Sequence, residues 1–211
     1  MSAVLNPLEG PSARPVRKLG GRRELVAARV RDLLLALDLD LTDPNLAGTP
    51  ERMSRSFEEL LSGLKDENEP VLRTFPHEGS GDEPVLVTGI PFHSLCAHHL
   101  LPFFGVAHVA YLPEGRVVGL SKLARVVEFF ARRPQLQERL TDQIARYLEE
   151  RLAPGAVYVA IEARHLCMEM RGVSKPGAQT VTTAVLGPRA DAAFRNQVTV
   201  HLARANQRGV P

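Results

Sequence analysis

The sequence has little cysteine, no block of one charge and no long apolar run. Only two cysteines occur in 211 residues. No export signal precedes them, so we expect a reducing compartment, where thiols bind metal, catalyse or pack more often than they form disulfides. The formal net charge is +2 and basic residues alternate with acidic ones, which argues against a nucleic-acid partner. No stretch is long enough to span a membrane. We therefore expect a cytoplasmic protein without nucleic acid or membrane partners.

The remaining composition predicts one globular domain behind a short tail. Hydrophobic residues make up 44% of the chain, which is enough to bury one sizeable core. Residues 1–22 are rich in Pro, Gly and Arg without apolar periodicity, so we expect a flexible N-terminal tail. The predicted single catalytic domain is 23–211.

Periodicity and end signals predict an α+β fold with a mainly antiparallel sheet. Thr49 is a candidate N-cap, Pro50 a first helical residue and Gly63 a stop, whereas the proline-punctuated segment 65–84 is predicted to be a loop. Ser121 is a candidate N-cap for another helix, and Pro134 is predicted to open the next. The predicted helices are 24–37, 49–63, 121–132, 134–152 and 189–205, and the predicted strands are 85–92, 104–113, a short one ending near Leu120, 156–172 and 179–187.

The strand predicted at 156–172 has two chemically different faces. A period of two places the apolar Leu166, Met168 and Met170 on one face. That face is expected to belong to the core. An ordinary solvent face would also explain the polar residues, and a lone cysteine is as often a small buried hydrophobe as a ligand. The residues predicted on the polar face are His165, Cys167, Glu169 and Arg171.

The segment "CAHHLLPFFG" (96–105) contains a candidate metal site. Cys96 and His99 have C-x-x-H spacing, which one turn can bring onto one ion, and Cys167 can supply a third ligand. Two thiolates and an imidazole favour Zn²⁺ over Mg²⁺ or Ca²⁺. Three protein ligands leave a position for water, whose pKa zinc lowers toward about 7. The alternative is a Cys-His cluster that packs without metal.

Four sequence blocks resemble GTP cyclohydrolase I, the first enzyme of pterin and folate synthesis. The blocks are Cys-x-His-His, Leu-Ser-Lys, Arg-Pro-Gln-x-Gln-Glu-Arg and His-x-Cys-x-x-x-Arg-Gly, in the family's order and spacing. The likeness extends back through "GTPERMSRSFEELLSGL" and covers roughly residues 24–187. Ala97 departs from the family's usual Glu, and the loop "SKPGAQ" lacks the usual Ser or Thr. Loss of a carboxylate beside a ligand could change support of the metal site or a subunit contact.

The resemblance assigns roles at the metal site. It implies that Cys96, His99 and Cys167 bind Zn²⁺ and that His98 and His165 are catalytic, with Ser121 as a useful hydroxyl. The reaction implied is conversion of GTP and water to formate and 7,8-dihydroneopterin triphosphate. Near-neutral imidazoles suit its repeated proton transfers.

The resemblance also assigns substrate contacts. Glu138 matches the residue that accepts from guanine N1–H and the 2-amino group, and Gln137 lies beside it. For Arg52 a solvated surface charge is an equal alternative. The residues matching the family's triphosphate cluster are Lys122, Arg125, Arg171 and Arg52.

The architecture implied is a tunnelling fold (T-fold), in which antiparallel sheets of several subunits join into a barrel. The family forms a homodecamer of two stacked pentameric rings with active sites between subunits. Two alternatives to a complete GTP cyclohydrolase I remain at this point. One is a paralogue that stops at a ring-opened or formylated intermediate, and the other is a non-catalytic zinc- and GTP-binding subunit. The sequence leaves open whether the product serves folate, another pterin or a deazapurine.

Overall fold

The structure, a computed structural model, describes residues 19–79 and 81–207. The described residues form two compact units, divided between Glu58 and Glu59. Of the tail predicted at 1–22, residues 1–18 lie outside the described residues. Residues 19–22 belong to a helix that begins at Leu19. No helix within the described ranges has the length and apolar character needed to cross a membrane.

The first unit contains helix α1 (Leu19–Ala36) and all but the last two residues of helix α2 (Thr49–Leu60). The buried Ser54 hydroxyl donates to the Arg23 carbonyl oxygen at 2.7 Å, which ties the helices together. Arg23 also forms an ion pair with Glu58. Thr49 was predicted as the N-cap that precedes α2, but it is the first residue of the helix. Helix ends assigned by different criteria commonly differ by one residue.

The second unit contains a five-stranded sheet in the order β5-β2-β3-β6-β7 and a two-stranded sheet of β1 and β4. All pairs are antiparallel except β2 with β5, which is parallel. The α+β class with a mainly antiparallel sheet is confirmed. The strands are β1 (Thr74–Pro76), β2 (Val85–Cys96), β3 (Pro102–Leu112), β4 (Arg116–Val118), β5 (Pro134–Gln135), β6 (Ala156–His165) and β7 (Gln179–Leu186). The helices are α3 (Leu120–Ala131), α4 (Gln137–Leu152), α5 (Leu166–Glu169) and α6 (Ala192–Gln207).

The prediction of a strand over 156–172 is wrong beyond His165, where β6 ends. The chain turns there into the single helical turn α5, in which the Met170 amide donates to the Leu166 carbonyl at 3.0 Å. The period-two faces therefore end at His165. Met168 and Met170, predicted to be in the core, are 38% and 65% exposed.

Several predicted boundaries also move. Pro134 does not open a helix, because residues 134 and 135 pair with the end of β2. Helix α3 begins at Leu120 with Gly119 as N-cap, so Ser121 lies inside its first turn. The last helix begins later than 189, because the Asp191 carboxylate caps it by accepting from the Phe194 amide at 2.9 Å. The loop predicted at 65–84 contains strand β1.

The helix α2 predicted to stop at Gly63 ends at Leu60, and Gly63 lies in a short 3₁₀ turn. A Cβ at Gly63 would lie 2.0 Å from the Phe129 carbonyl oxygen. Glycine is therefore required by the close approach of this turn to α3.

Helices cover both faces of the five-stranded sheet. Helices α3 and α4 bury Leu123, Leu140 and Ile144 against one face. Helix α6 buries Phe194 and Val198 against the other. Burial of such apolar side chains stabilises the fold by about 1.5 to 3 kcal/mol each.

The register of the strands brings several chain ends to one place. Cys96 at the end of β2 pairs with Gln135 of β5, immediately before α4 begins. Phe103 at the start of β3 pairs with His165 at the end of β6, immediately before α5. The β2–β3 turn, the start of α4 and helix α5 therefore meet at one end of the sheet.

Candidate active site

The β2–β3 turn folds His99 back toward Cys96. The amides of His99 and Leu100 donate to the Cys96 carbonyl at 3.3 and 2.8 Å. Leu100 has a φ of 54°, a left-handed conformation that closes the turn at some cost in strain. As a result, His99 Nδ1 lies 3.8 Å from Cys96 Sγ.

Helix α5 adds Cys167 to this pair, so the three residues predicted as metal ligands come together. One donor atom from each of Cys96, His99 and Cys167 lies within 4.8 Å of the others. Tetrahedral zinc with Zn–S of about 2.3 Å and Zn–N of about 2.0 Å places a sulfur and a nitrogen about 3.5 Å apart. The observed spacing is close to this value. The donor set of two sulfurs and one imidazole fits a zinc ion.

The thiol of Cys167 is protonated more readily than an ordinary thiol. Burial of the thiol is the main cause that raises the pKa of Cys167, and the neighbouring Cys96 raises it further. A bound cation would offset both effects, because it favours the thiolate over the thiol. Proton release is therefore expected to accompany metal binding.

The two adjacent histidines face different directions. The His98 and His99 rings have centroids 6.0 Å apart and are inclined by 80°. Both side chains are exposed. This arrangement allows one imidazole to hold a metal while the other is available to a second group.

His165 is held more tightly than His98. Its ring stacks on Phe103 with a centroid distance of 4.7 Å and an interplanar angle of 2°. Its Nε2 lies 2.7 Å from the Gln137 amide oxygen. Burial lowers the pKa of His165, and the negative charge of Glu138 opposes that shift. The electrostatic influence of Glu138 on His165 links the start of α4 to this end of the sheet.

Arg171 joins the site from beyond α5. Its Nη1 lies 2.7 Å from His99 Nε2. Because guanidinium only donates, His99 accepts at Nε2 and carries its proton at Nδ1. A metal at Nδ1 would displace that proton to Nε2, so the contact with Arg171 would have to change.

The remaining predicted residues lie elsewhere in the chain. Ser121, Lys122 and Arg125 are on the first turns of α3. Their predicted roles stay predictions. Arg52 belongs to the first unit, where its guanidinium donates to the Asn45 carbonyl at 2.8 Å and the Thr49 hydroxyl at 3.0 Å. Its predicted contact with phosphate also stays a prediction.

Three arginines in and beside the Arg-Pro-Gln-x-Gln-Glu-Arg block, to which the resemblance assigns no role, have structural contacts. Arg132 pairs with Glu128 of the same helix. Arg133 lies over the rings of Phe129 and Phe130, with distances of 4.3 and 4.7 Å to their centroids. The Arg139 guanidinium donates to Gln135 and Pro134 of β5. The Arg139 contacts hold the short β5 segment beside Cys96.

Sequence reasoning missed two groups of side chains around the predicted ones. Phe103 gave no signal because the predicted strand began only at residue 104, whereas β3 begins at Pro102 and pairs Phe103 with His165. Arg164 and Glu169 form an ion pair next to Cys167. The sequence placed Glu169 beside the ligands but offered no partner for it.

Comparison with known proteins identifies the family of the chain. The family model for GTP cyclohydrolase I matches residues 26–203. Among curated relatives, GTP cyclohydrolase 1 of Thermoanaerobacter pseudethanolicus is 52% identical over 166 residues, covering 78% of this chain and 88% of that protein. The Carboxydothermus hydrogenoformans enzyme is 54% identical over 167 residues, covering 78% and 86%. The Bacillus subtilis enzyme is 49% identical over 184 residues, covering 86% and 96%. The resemblance carried by the four sequence blocks is confirmed, and the chain belongs to the GTP cyclohydrolase I family.

Proposed function

We propose that this chain converts GTP and water to 7,8-dihydroneopterin triphosphate and formate with the help of zinc. The observation that carries the proposal is the convergence of Cys96, His99 and Cys167. The relatives named GTP cyclohydrolase 1 support the same reaction.

The chain's own residues would hold the metal through two thiolates and the His99 imidazole. When bound, zinc supplies Lewis acidity that activates water near neutral pH. With three protein ligands, the site is of the kind that keeps one position open for chemistry.

The two other imidazoles supply the proton transfers that the reaction requires. His165, once protonated at its second ring nitrogen, donates that proton to the five-membered ring of the purine as water adds to C8, and the C8–N bond then opens. Release of formate, opening of the ribose and closure of the new ring each require a further proton transfer. His98 takes part in these transfers together with His165. Imidazole is the side-chain group best suited to repeated proton transfers in both directions under physiological conditions. Ser121 contributes a hydroxyl to the same series of proton transfers.

The start of α4 reads the base. The Glu138 carboxylate can accept two hydrogen bonds from N1–H and the 2-amino group of guanine, a donor pair that adenine lacks. Glu138 is exposed, so its carboxylate is accessible to a ligand. Its influence on His165 supports a position near the reacting ring.

Cationic side chains bind the triphosphate. Arg171 is already beside His99, and Lys122 and Arg125 follow Ser121 on α3. Arg52 would add a further cation. The start of α3 favours an anion because of the helix dipole.

We further propose that the chain acts in the cytoplasm as a homodecamer of two stacked rings, with sheets joined into a T-fold barrel. Strand β7 lies at one end of the described five-stranded sheet, and Val181 on it is 61% exposed. An open edge with exposed apolar side chains supports pairing with another subunit. The assembly rests on family membership.

Product analysis tests the proposal. Full-length protein is loaded with zinc and incubated with GTP, and products are identified by mass with a parallel formate assay. One equivalent of formate per pterin triphosphate is expected, and none is expected from chelated protein or from Cys96→Ser. A ring-opened or formylated end product would instead indicate a truncated reaction. GTP binding without turnover would indicate a binding subunit.

A further inference from the structure

The Gln137 side chain connects His165 to the sheet. Gln137 is the first residue of α4 and is 2% exposed. Its amide nitrogen lies 3.0 Å from the carbonyl oxygens of Ile161 and Thr180 and 3.1 Å from the Thr182 hydroxyl. Its amide oxygen lies 2.7 Å from His165 Nε2.

These contacts allow only one orientation of the amide. Carbonyl oxygens accept and never donate, so the NH₂ end of Gln137 must face Ile161 and Thr180. The reversed amide would bury its oxygen against two carbonyl oxygens, which is costly in a site closed to water.

Two threonine hydroxyls are consistent with the same orientation. Thr141 donates to the Gln137 backbone carbonyl at 2.8 Å. Thr141 and Thr182 oxygens lie 2.6 Å apart. Because the Thr141 proton is already used, Thr182 donates to Thr141. Its oxygen is then left to accept from the Gln137 amide.

The orientation of Gln137 determines where His165 carries its proton. The Gln137 amide oxygen can only accept, so Nε2 of neutral His165 must carry the hydrogen. Nδ1 then keeps its lone pair. The parallel Phe103 ring stacked on one face of the imidazole restricts rotation of the imidazole, so a ring flip that exchanges Nδ1 and Nε2 is hindered.

We infer that Gln137 is a positioning residue that holds His165 as the Nε2–H tautomer and makes Nδ1 the atom that accepts and returns the proton during turnover. The inference rests on the proposed function only for the use made of that proton. It differs from the sequence-predicted contact of Gln137 with substrate, because both ends of the amide are already bonded to protein groups.

The tautomer can be observed directly by nitrogen NMR. The chain has seven histidines, so full-length protein is labelled with ¹⁵N-histidine and the His165 signals are identified by their loss in His165→Asn. The expected wild-type spectrum at a pH where His165 is neutral shows a protonated Nε2 and an unprotonated Nδ1. A protonated Nδ1 would overturn the inference. The measurement uses the wild-type protein, so it does not depend on the folding of a Gln137 variant.

Gln137→Met tests the positioning role. The variant keeps the length of the side chain but removes the acceptor, so the His165 signals should become a mixture of tautomers. We expect kcat to fall by about 10²-fold, comparable with the loss of a correctly protonated general acid or base. Gln143→Met is the matched control: Gln143 lies on the same helix and accepts from Gln135, and this variant should keep the wild-type tautomer. An unchanged tautomer in folded Gln137→Met would also overturn the inference.

The spectrum is recorded without GTP, so its result is independent of turnover. A wild-type protein with the expected tautomer but no product from GTP would count against the proposed function alone. A wild-type protein that makes product with Nδ1 protonated would count against the positioning role alone.

Discussion

Arg164 and Glu169 form a bidentate ion pair across the corner where β6 ends and α5 begins. Arg164 Nε lies 2.8 Å from Glu169 Oε1 and Nη2 lies 2.6 Å from Oε2. The Glu169 side chain is only 8% exposed, and Arg164 lowers the pKa of Glu169. Since Cys167 lies between these residues in sequence, the pair restrains the backbone that presents this thiol to the metal site.

Glu169→Gln should weaken zinc binding without removing a ligand. The amide can accept from Arg164 at only one atom, so the bidentate pair is lost and α5 becomes freer to move. We expect zinc affinity, measured by chelator competition, to fall by about tenfold, the lower end of the effect of losing a group that supports a ligand. Asp142→Asn is the control, because it breaks an exposed ion pair with Arg146 on α4. Equal zinc affinities in the two variants would show that the Arg164–Glu169 pair does not support the site.

The same corner shows how far sequence patterns reach. Alternating residues after His165 predict a continued strand, but the chain turns because Glu169 pairs back to Arg164, a contact that local periodicity does not contain. The prediction of a polar strand face formed by His165, Cys167, Glu169 and Arg171 is therefore wrong. Its members still come close to the metal group, because the turn brings Cys167 and Arg171 toward His99.

The ligand group was predictable from the sequence, whereas its surroundings were not. C-x-x-H spacing indicates a local turn, and chemistry alone favours zinc for these donors. The stacking of Phe103 on His165 and the contacts of Gln137 depend on the β3–β6 register and on β5. Two residues of β5 are too few to give a periodic signal, and Pro134 instead indicated a helix.

Glu138→Gln should weaken GTP binding by about 2 to 4 kcal/mol, because one acceptor oxygen is replaced by a donor that faces the guanine donors. The dissociation constant of GTP is measured calorimetrically on zinc-loaded protein. Glu150→Gln, an exposed position on the same helix, provides the control. If Glu138→Gln binds GTP like the parent, another group reads the base.

His108 should make the fold less stable in mild acid. It is 4% exposed, its Nδ1 accepts from the Gly89 amide at 3.3 Å, and Glu162 Oε1 lies 3.9 Å from Nε2. Burial lowers the pKa of His108, and the charge of Glu162 only partly opposes this. Below a pH of about 6.5 the unfolded chain therefore binds more protons than the folded chain, and the free energy of unfolding decreases as pH falls.

Replacement of His108 measures this effect. In His108→Gln, the free energy of unfolding by urea should depend less steeply on pH between about 7 and about 5 than in the parent. His201→Gln on α6, where the side chain is exposed, controls for loss of a histidine in general. A parent-like slope in His108→Gln would mean that His108 is not the group whose protonation destabilises the fold.

The adjacent histidines should separate metal binding from proton transfer. His99 Nδ1 lies near Cys96 Sγ, whereas the His98 ring is steeply inclined to that of His99. His98→Ala is therefore expected to keep near-stoichiometric zinc and to bind GTP, while turnover falls by about 10² to 10⁴. His99→Ala should lose zinc and turnover together, because only two ligands remain. Because proton transfers recur after ring opening, His98→Ala is also expected to accumulate a formylated or ring-opened triphosphate. Zinc content and product mass, measured on both variants, decide the assignment: loss of zinc from His98→Ala with retention by His99→Ala would reverse the two roles.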